Sequence, residues 1–194
     1  LFIDPGLRVA GCALFSMDVH GVNGDHNKGE IITNGRVFRA WASKEPGRAR
    51  GAEGWRAMAE TIKRDVYERI VGQPGLGVHN LGIGALHQIV IEEPQIYQRN
   101  HGKKANKIDP DDMIQLAGVV GAVEGRFAFV QNVKSVKPGV WKGQVDPDVM
   151  TARILTKPIP EEFAVMEKSP RAKSYDHNMV DAIGLGLWWF DRLG

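Results

Sequence analysis

Three carboxylates stand where the surrounding chain is apolar. Asp4 closes the run Leu1-Phe2-Ile3, Glu92 closes Ile89-Val90-Ile91, and Asp181 opens a segment that continues Ala182-Ile183-Gly184-Leu185 and ends Trp188-Trp189-Phe190. A carboxylate taken out of water must be paired, hydrogen-bonded or bound to a metal. Each of the three has an ordinary explanation by itself. Asp4 could begin the turn Asp4-Pro5-Gly6, Glu92 could end a strand at the surface, and Asp181 could sit in the first turn of a helix, where the dipole favours it. Brought to one point, they would repel one another unless a cation neutralised them, and hard oxygen donors suit magnesium or manganese. Two such ions about 4 Å apart can activate a water and stabilise the leaving oxygen of a phosphodiester. Glu93 follows Glu92, and neighbouring strand residues face opposite ways. Glu92 shares a face with Val90 and Glu93 with Ile91, so alternation alone admits either.

The elements that must position these groups are legible in the pattern. Leu1–Ile3 is a short apolar run, and Val9–Met17 (VAGCALFSM) reads as a strand. Asp18–Gly35 is polar and glycine-bearing, a hairpin loop, and Gly35–Ala42 alternates as a sheet strand does. A helix is predicted over Ala52–Val71, with Trp55, Met58, Ala59, Ile62, Val66 and Ile70 on one stripe. Gly72–Gly82 is a connector, and the β-branched run His87–Glu92 is a buried strand. Asp109-Pro110 is a cap followed by a proline, which opens a helix to about Gly125. In that helix Gly118, Gly121 and Ala122 offer a small-residue surface to another helix. Phe127–Val133 (FAFVQNV) reads as a strand, and Asp146-Pro147 opens a helix to about Thr156. Lys157–Lys173 is a connector, and His177–Arg192 is a helix apolar nearly all round, hence buried. The order β-β-β-α-β-α-β-α-α predicts an α/β fold with one mixed sheet, antiparallel at its start and parallel afterwards, covered by helices. If the fourth strand lies beside the first, Asp4 and Glu92 end adjacent strands at one sheet edge, and the last helix brings Asp181 to them.

The chain has 194 residues, 25 Lys and Arg against 23 Asp and Glu, and one cysteine. Its length suggests one domain, residues 1–194. A single cysteine excludes an internal disulfide framework, and Cys12 reads as a small core residue. The longest apolar stretch, Ala182–Phe190, falls short of the roughly 18 residues of a membrane span. No signal peptide is read, and a reducing, cytoplasmic setting is the expectation. The chain opens at Leu1, inside an apolar run and without a methionine, as a trimmed segment would. A net charge of +2 implies no partner, but its distribution favours an anionic one. Gln98–Lys107 carries Arg99, Lys103, Lys104 and Lys107 with no acid. Lys134, Lys137 and Lys142 form a second basic run, and Lys168, Arg171 and Lys173 a third.

At these residues the sequence resembles the RuvC-type Holliday-junction resolvases of the RNase H-like superfamily. The resemblance rests on Ile3-Asp4-Pro5-Gly6, Gly11-Cys12-Ala13, Val90-Ile91-Glu92 and Asn178-Met179-Val180-Asp181-Ala182, in order along nearly the whole chain. The segments IEEPQIY and Trp141-Lys142-Gly143 look most like phage-borne members, which would place the protein in a bacterial host cell. The resemblance implies an RNase H-like fold with a five-stranded sheet. It also implies a homodimer on branched DNA, such as a four-way junction, nicking two opposed strands with two magnesium ions, for which manganese can substitute. Asp4, Glu92 and Asp181 would be the metal-binding catalytic carboxylates, with Asp4 bridging both ions. The family's fourth ligand, usually Asp, falls on Asn178, one helical turn before Asp181. Asp176 or His177 could substitute, the alternative for Asp176 being a plain helix cap. The expectation follows that Asn178→Asp is neutral or activating. The family's lysine near the scissile phosphate corresponds to Lys137 or Lys142, where its charge would offset that of the transition state. Arg99, Lys103 and Lys104 would hold phosphates beside the site, with Tyr97 stacking near the junction. The competing readings are a related nuclease acting on RNA or a hybrid, a catalytically weak junction-binding module, and an actin-like ATPase, for which the chain is short.

Overall fold

The computed structural model describes residues 1–20, 31–44, 51–71, 86–94, 109–168 and 175–194. Strands β1 (Phe2–Asp4), β2 (Val9–His20) and β3 (Ile31–Lys44) are followed by helix α1 (Gly51–Val71), strand β4 (Gln88–Glu92), helix α2 (Pro110–Arg126) and strand β5 (Asn132–Val136). Four helices complete the chain: α3 (Pro138–Trp141), α4 (Pro147–Leu155), α5 (Pro160–Ala164) and α6 (His177–Trp189). The strands form one mixed sheet in the order β3-β2-β1-β4-β5. β1 runs antiparallel to β2, and β2 to β3, whereas β4 is parallel to both β1 and β5. This is the five-stranded α/β arrangement that the RNase H-like resemblance implies.

Strand alternation divides the interior into two cores. Ile3, Cys12, Ile89 and Ile91 meet α1 and α2 through Met58, Ile62, Val66, Val120 and Val123. On the other face Phe2, Ala13 and Val90 meet α6 and α4 through Met179, Ile183, Leu187, Met150 and Ile154. The stripe expected on α1 is therefore the one buried. Gly118 of α2 is covered by the Trp55 ring of α1, so part of the small-residue surface serves packing within this chain, while Gly121 meets nothing within 4 Å. Cys12 is a buried free thiol, as expected.

Helix starts follow the cap-plus-proline rule. The carboxylates of Asp109 and Asp146 accept from Asp111 N and Asp148 N at 2.9 and 3.0 Å, and prolines occupy the first helical positions. Helix α6 lies unusually close to the sheet. A Cβ on Gly11 would stand 1.8 Å from the Asn178 carbonyl oxygen, so only glycine admits the start of α6 against β2.

Several boundaries correct the sequence reading. The fifth strand is Asn132–Val136, not Phe127–Val133. Phe127 caps α2 and is fully buried, and Val130 is buried behind it, so these apolar residues plug the α1–α2 core. The true strand is a sheet edge, with an exposed and mixed pattern that carries little apolar signal. At the described ends of Asp18–Gly35 the strands extend further than the loop reading, β2 to His20 and β3 from Ile31, paired as a two-stranded ribbon, while residues 21–30 lie outside the described residues. Lys157–Lys173 contains α5, α3 was unread, and α6 ends at Trp189 rather than Arg192.

Candidate active site

The same alternation that sorts the cores aims the acids. Asp4 shares the face of Phe2, and Glu92 that of Val90, which is the face covered by α6. The register pairs Ile3 with Ile91, so Asp4 and Glu92 are the next residues along two adjacent parallel strands. Asp181 comes from the second turn of α6, laid across that edge. Glu93 follows the end of the strand, its backbone N–H bonding Val136 O at 2.8 Å, and it reaches the cleft without partnering Lys142. The choice between Glu92 and Glu93 thus depends on which face the last helix covers.

Two of the three carboxylates bond one cation, and the third, Asp4, acts on it through its charge. Lys142 Nζ lies 3.0 Å from Glu92 Oε1 and 2.9 Å from Asp181 Oδ2. Trp141 Nε1 donates to Glu92 Oε2 at 2.8 Å, so both oxygens of a 7% exposed glutamate have partners. Both partners come from the end of the short helix α3, which Lys137-Pro138 starts immediately after β5. Burial, then the charges of Glu92 and Asp181, hold the Asp4 carboxyl well above the ordinary carboxylate range, with Lys142 acting the other way. Burial also raises Glu92, against the opposing pull of Lys142 and the Trp141 N–H. Burial disfavours the Lys142 ammonium, but Glu92, Asp181 and Asp4 outweigh it and raise its pKa above the ordinary lysine value. A cleft of about 140 Å³ opens beside the acids, lined by Asp4, Pro5, Glu92, Glu93, Pro94, Leu116 and Pro138. It has room for several waters and opens to solvent.

Among the described residues, no three of His, Cys, Asp and Glu are arranged to hold a metal ion as the side chains stand. The donor set still fits a hard divalent cation in kind: carboxylate oxygens from three elements, two of them already sharing one positive charge.

The remaining expected residues divide. Asp176 caps α6, accepting from Asn178 N at 3.1 Å, and its charge also acts on Asp4. It is therefore both the cap and a neighbour of the site. Asn178 Nδ2 donates to Val9 O at 2.5 Å, so its amide holds the start of β2. His177 is the first residue of α6 and is exposed. Of the two candidate lysines, Lys142 is at the acids, while Lys137 is exposed at the start of α3. Tyr97, Arg99, Lys103 and Lys104 lie outside the described residues, as do Arg171 and Lys173. Trp141 was not singled out from the sequence as a site residue. An indole in a glycine-flanked turn gives no sign of its target until the strand order places Glu92 beside it.

No protein-family model matches the chain, and no curated protein matches it. Among solved structures, the structure of Thermus thermophilus RuvC is similar, with a TM-score of 0.47 and 15% sequence identity, over 96% of this chain and 90% of that one. Among the described residues, no helix is long and apolar enough to cross a membrane.

Proposed function

We propose that this chain is a metal-dependent, structure-selective DNA endonuclease that resolves four-way junctions by paired nicking, acting as a homodimer of one nuclease domain. The observation that supports this reading is the convergence of Asp4, Glu92 and Asp181, from two adjacent strands and a crossing helix, on one positive charge beside a small open cleft. Asp4, Glu92 and Asp181 would hold two magnesium or manganese ions, with Asp176 and the amide oxygen of Asn178 as further donors. When bound, such ions activate a water and offset charge on the phosphate being cut. Trp141 fixes the rotamer of Glu92 through its N–H, so one carboxylate oxygen stays aimed at Asp181 and the cleft. Lys142 carries its charge at the site on a flexible stem, within reach of a phosphate entering the cleft. The basic segment around Arg99, Lys103 and Lys104, with Tyr97, follows β4 directly in the chain and would hold the DNA backbone together with Lys137.

One observation favours a second reading, a catalytically weak junction-binding module. The position of the fourth ligand is an amide already bonded to Val9 O, which leaves the site one negative charge fewer. A panel of labelled substrates separates the two readings. Four-way junction, linear duplex and RNA–DNA hybrid are incubated with Mg²⁺, Mn²⁺ or EDTA. The endonuclease reading expects metal-dependent paired nicks on opposed strands of the junction alone. Tight junction binding without cleavage in Mn²⁺ would select the binding module, and preferential cutting of the hybrid would contradict both.

A further inference from the structure

Lys142 fills the place that the proposed function gives to a metal. We propose that Lys142 competes with a divalent ion for the gap between Glu92 and Asp181, its ammonium standing where the ion would bind, so that ion loading requires its release. This inference rests on reading the site as a metal centre.

The geometry carries it. Nζ is 2.9 Å from one carboxylate and 3.0 Å from the other, ordinary lengths for charge-assisted hydrogen bonds. Magnesium binds oxygen at roughly 2.0–2.1 Å, so an ion between the same two oxygens would overlap the nitrogen, and the two cannot share the gap. The lysine is an incomplete substitute: one positive charge faces Glu92, Asp181 and Asp4, with Asp176 also acting on Asp4. A divalent ion would neutralise more of that charge, which gives it the advantage once the lysine leaves. The way out is open. Lys142 ends α3, keeps 19% of its side chain exposed, and is followed by Gly143 at a φ of 61°, where a side chain would be strained. Trp141 makes the exchange local. Its ring lies 4.7 Å from Nζ, and its N–H holds the other oxygen of Glu92. The carboxylate therefore stays in place when the ammonium departs. The released lysine is then free to meet a phosphate at the same cleft, which ties metal occupancy to the availability of the cation for substrate.

The test is calorimetric titration of Mn²⁺ into the DNA-free protein, comparing wild type, Lys142→Met and Lys137→Met. Lys137→Met removes the same charge from the exposed start of the same helix and so measures the general field effect. The proposal expects Lys142→Met to bind Mn²⁺ about tenfold more tightly or better, a factor equal to about 1.4 kcal/mol, and Lys137→Met to bind much as wild type does. Equal affinity in wild type and Lys142→Met, or equal tightening in both variants, would overturn the proposal while leaving a metal site. Absence of Mn²⁺ binding in all three would overturn the metal reading with it. A second measurement uses only the wild-type chain, in case Lys142→Met does not fold. Reductive methylation of Lys142, with Lys137 as internal reference, should be slow without metal and faster at saturating Mg²⁺. A rate unchanged by Mg²⁺ would overturn the proposal.

Discussion

Asn178 shows how one side chain can answer to the fold and to the site at once. From the sequence it is the position of a fourth ligand, and a carboxylate there looked neutral or better. In the structure its amide donates to Val9 O, so Asn178→Asp both removes a donor and sets a carboxylate against a carbonyl. The variant should lose about 1–3 kcal/mol of stability in EDTA and recover part of it in Mn²⁺, read by urea unfolding in the two buffers. Equal stability of variant and wild type in EDTA would mean that the Val9 bond does not matter. The sequence made the types of the acids legible because carboxylates bounding apolar runs are conspicuous. Alternation alone could not choose Glu92 over Glu93, because that rests on which sheet face α6 covers, and only the resemblance pointed to Glu92; Lys142 and Lys137 stayed open until α3 placed them at its two ends. Trp141 was hidden for the same reason.

At the scale of elements, the chain closes on itself through Glu162. Its carboxylate accepts from Arg192 at 2.7 and 2.8 Å, from Val37 N at 2.7 Å and from Ile159 N at 2.9 Å. This joins β3, α5 and the residues after α6. Asp191, at a φ of 55°, turns the chain so that Arg192 reaches back. Burial pushes the Glu162 carboxyl upward, but the Arg192, Ile159 and Val37 bonds outweigh it and hold it below its ordinary 4.5. A carboxyl depressed by folding contributes its full stability above the unfolded value, and that contribution is lost as pH falls through the folded one. The Glu162 contribution should therefore be full at neutral pH and fall away below about pH 4.5, against the opposite trend of Asp4 and Glu92, whose raised carboxyls favour the folded state on acidification. Glu162→Gln should lose about 3 kcal/mol at neutral pH, because it leaves Arg192 without its charge partner, and should flatten that part of the acid limb. Chemical denaturation across pH checks both, and an unchanged acid limb in the variant would contradict the assignment. None of this clasp was legible beforehand, since α5 is too short for a periodic signal. The long elements were: α1 shows its buried face in its spacing, α6 its burial in being apolar nearly all round, and the caps of α2 and α4 announce themselves. The edge strand β5 was misplaced because edges carry little apolar signal, while the nearby apolar run was needed to plug a core.

For the whole molecule, the sheet order and the crossing helix bring Asp4, Glu92 and Asp181 together from parts that are unremarkable singly, and the proposed hydrolytic centre rests on that convergence. The slight net charge of +2 says little about a partner; the clustering of basic residues along the sequence and Lys142 at the acids say more. The central claim is that the three acids do the chemistry rather than hold the DNA. The most direct measurement compares wild type with Asp4→Asn, Glu92→Gln and Asp181→Asn on one labelled four-way junction, recording binding by gel shift in EDTA and cleavage in Mn²⁺. The account predicts binding close to wild type in all three variants and cleavage reduced to the metal-free background. Cleavage at the wild-type rate in any of them would remove that residue from the active centre and contradict the account.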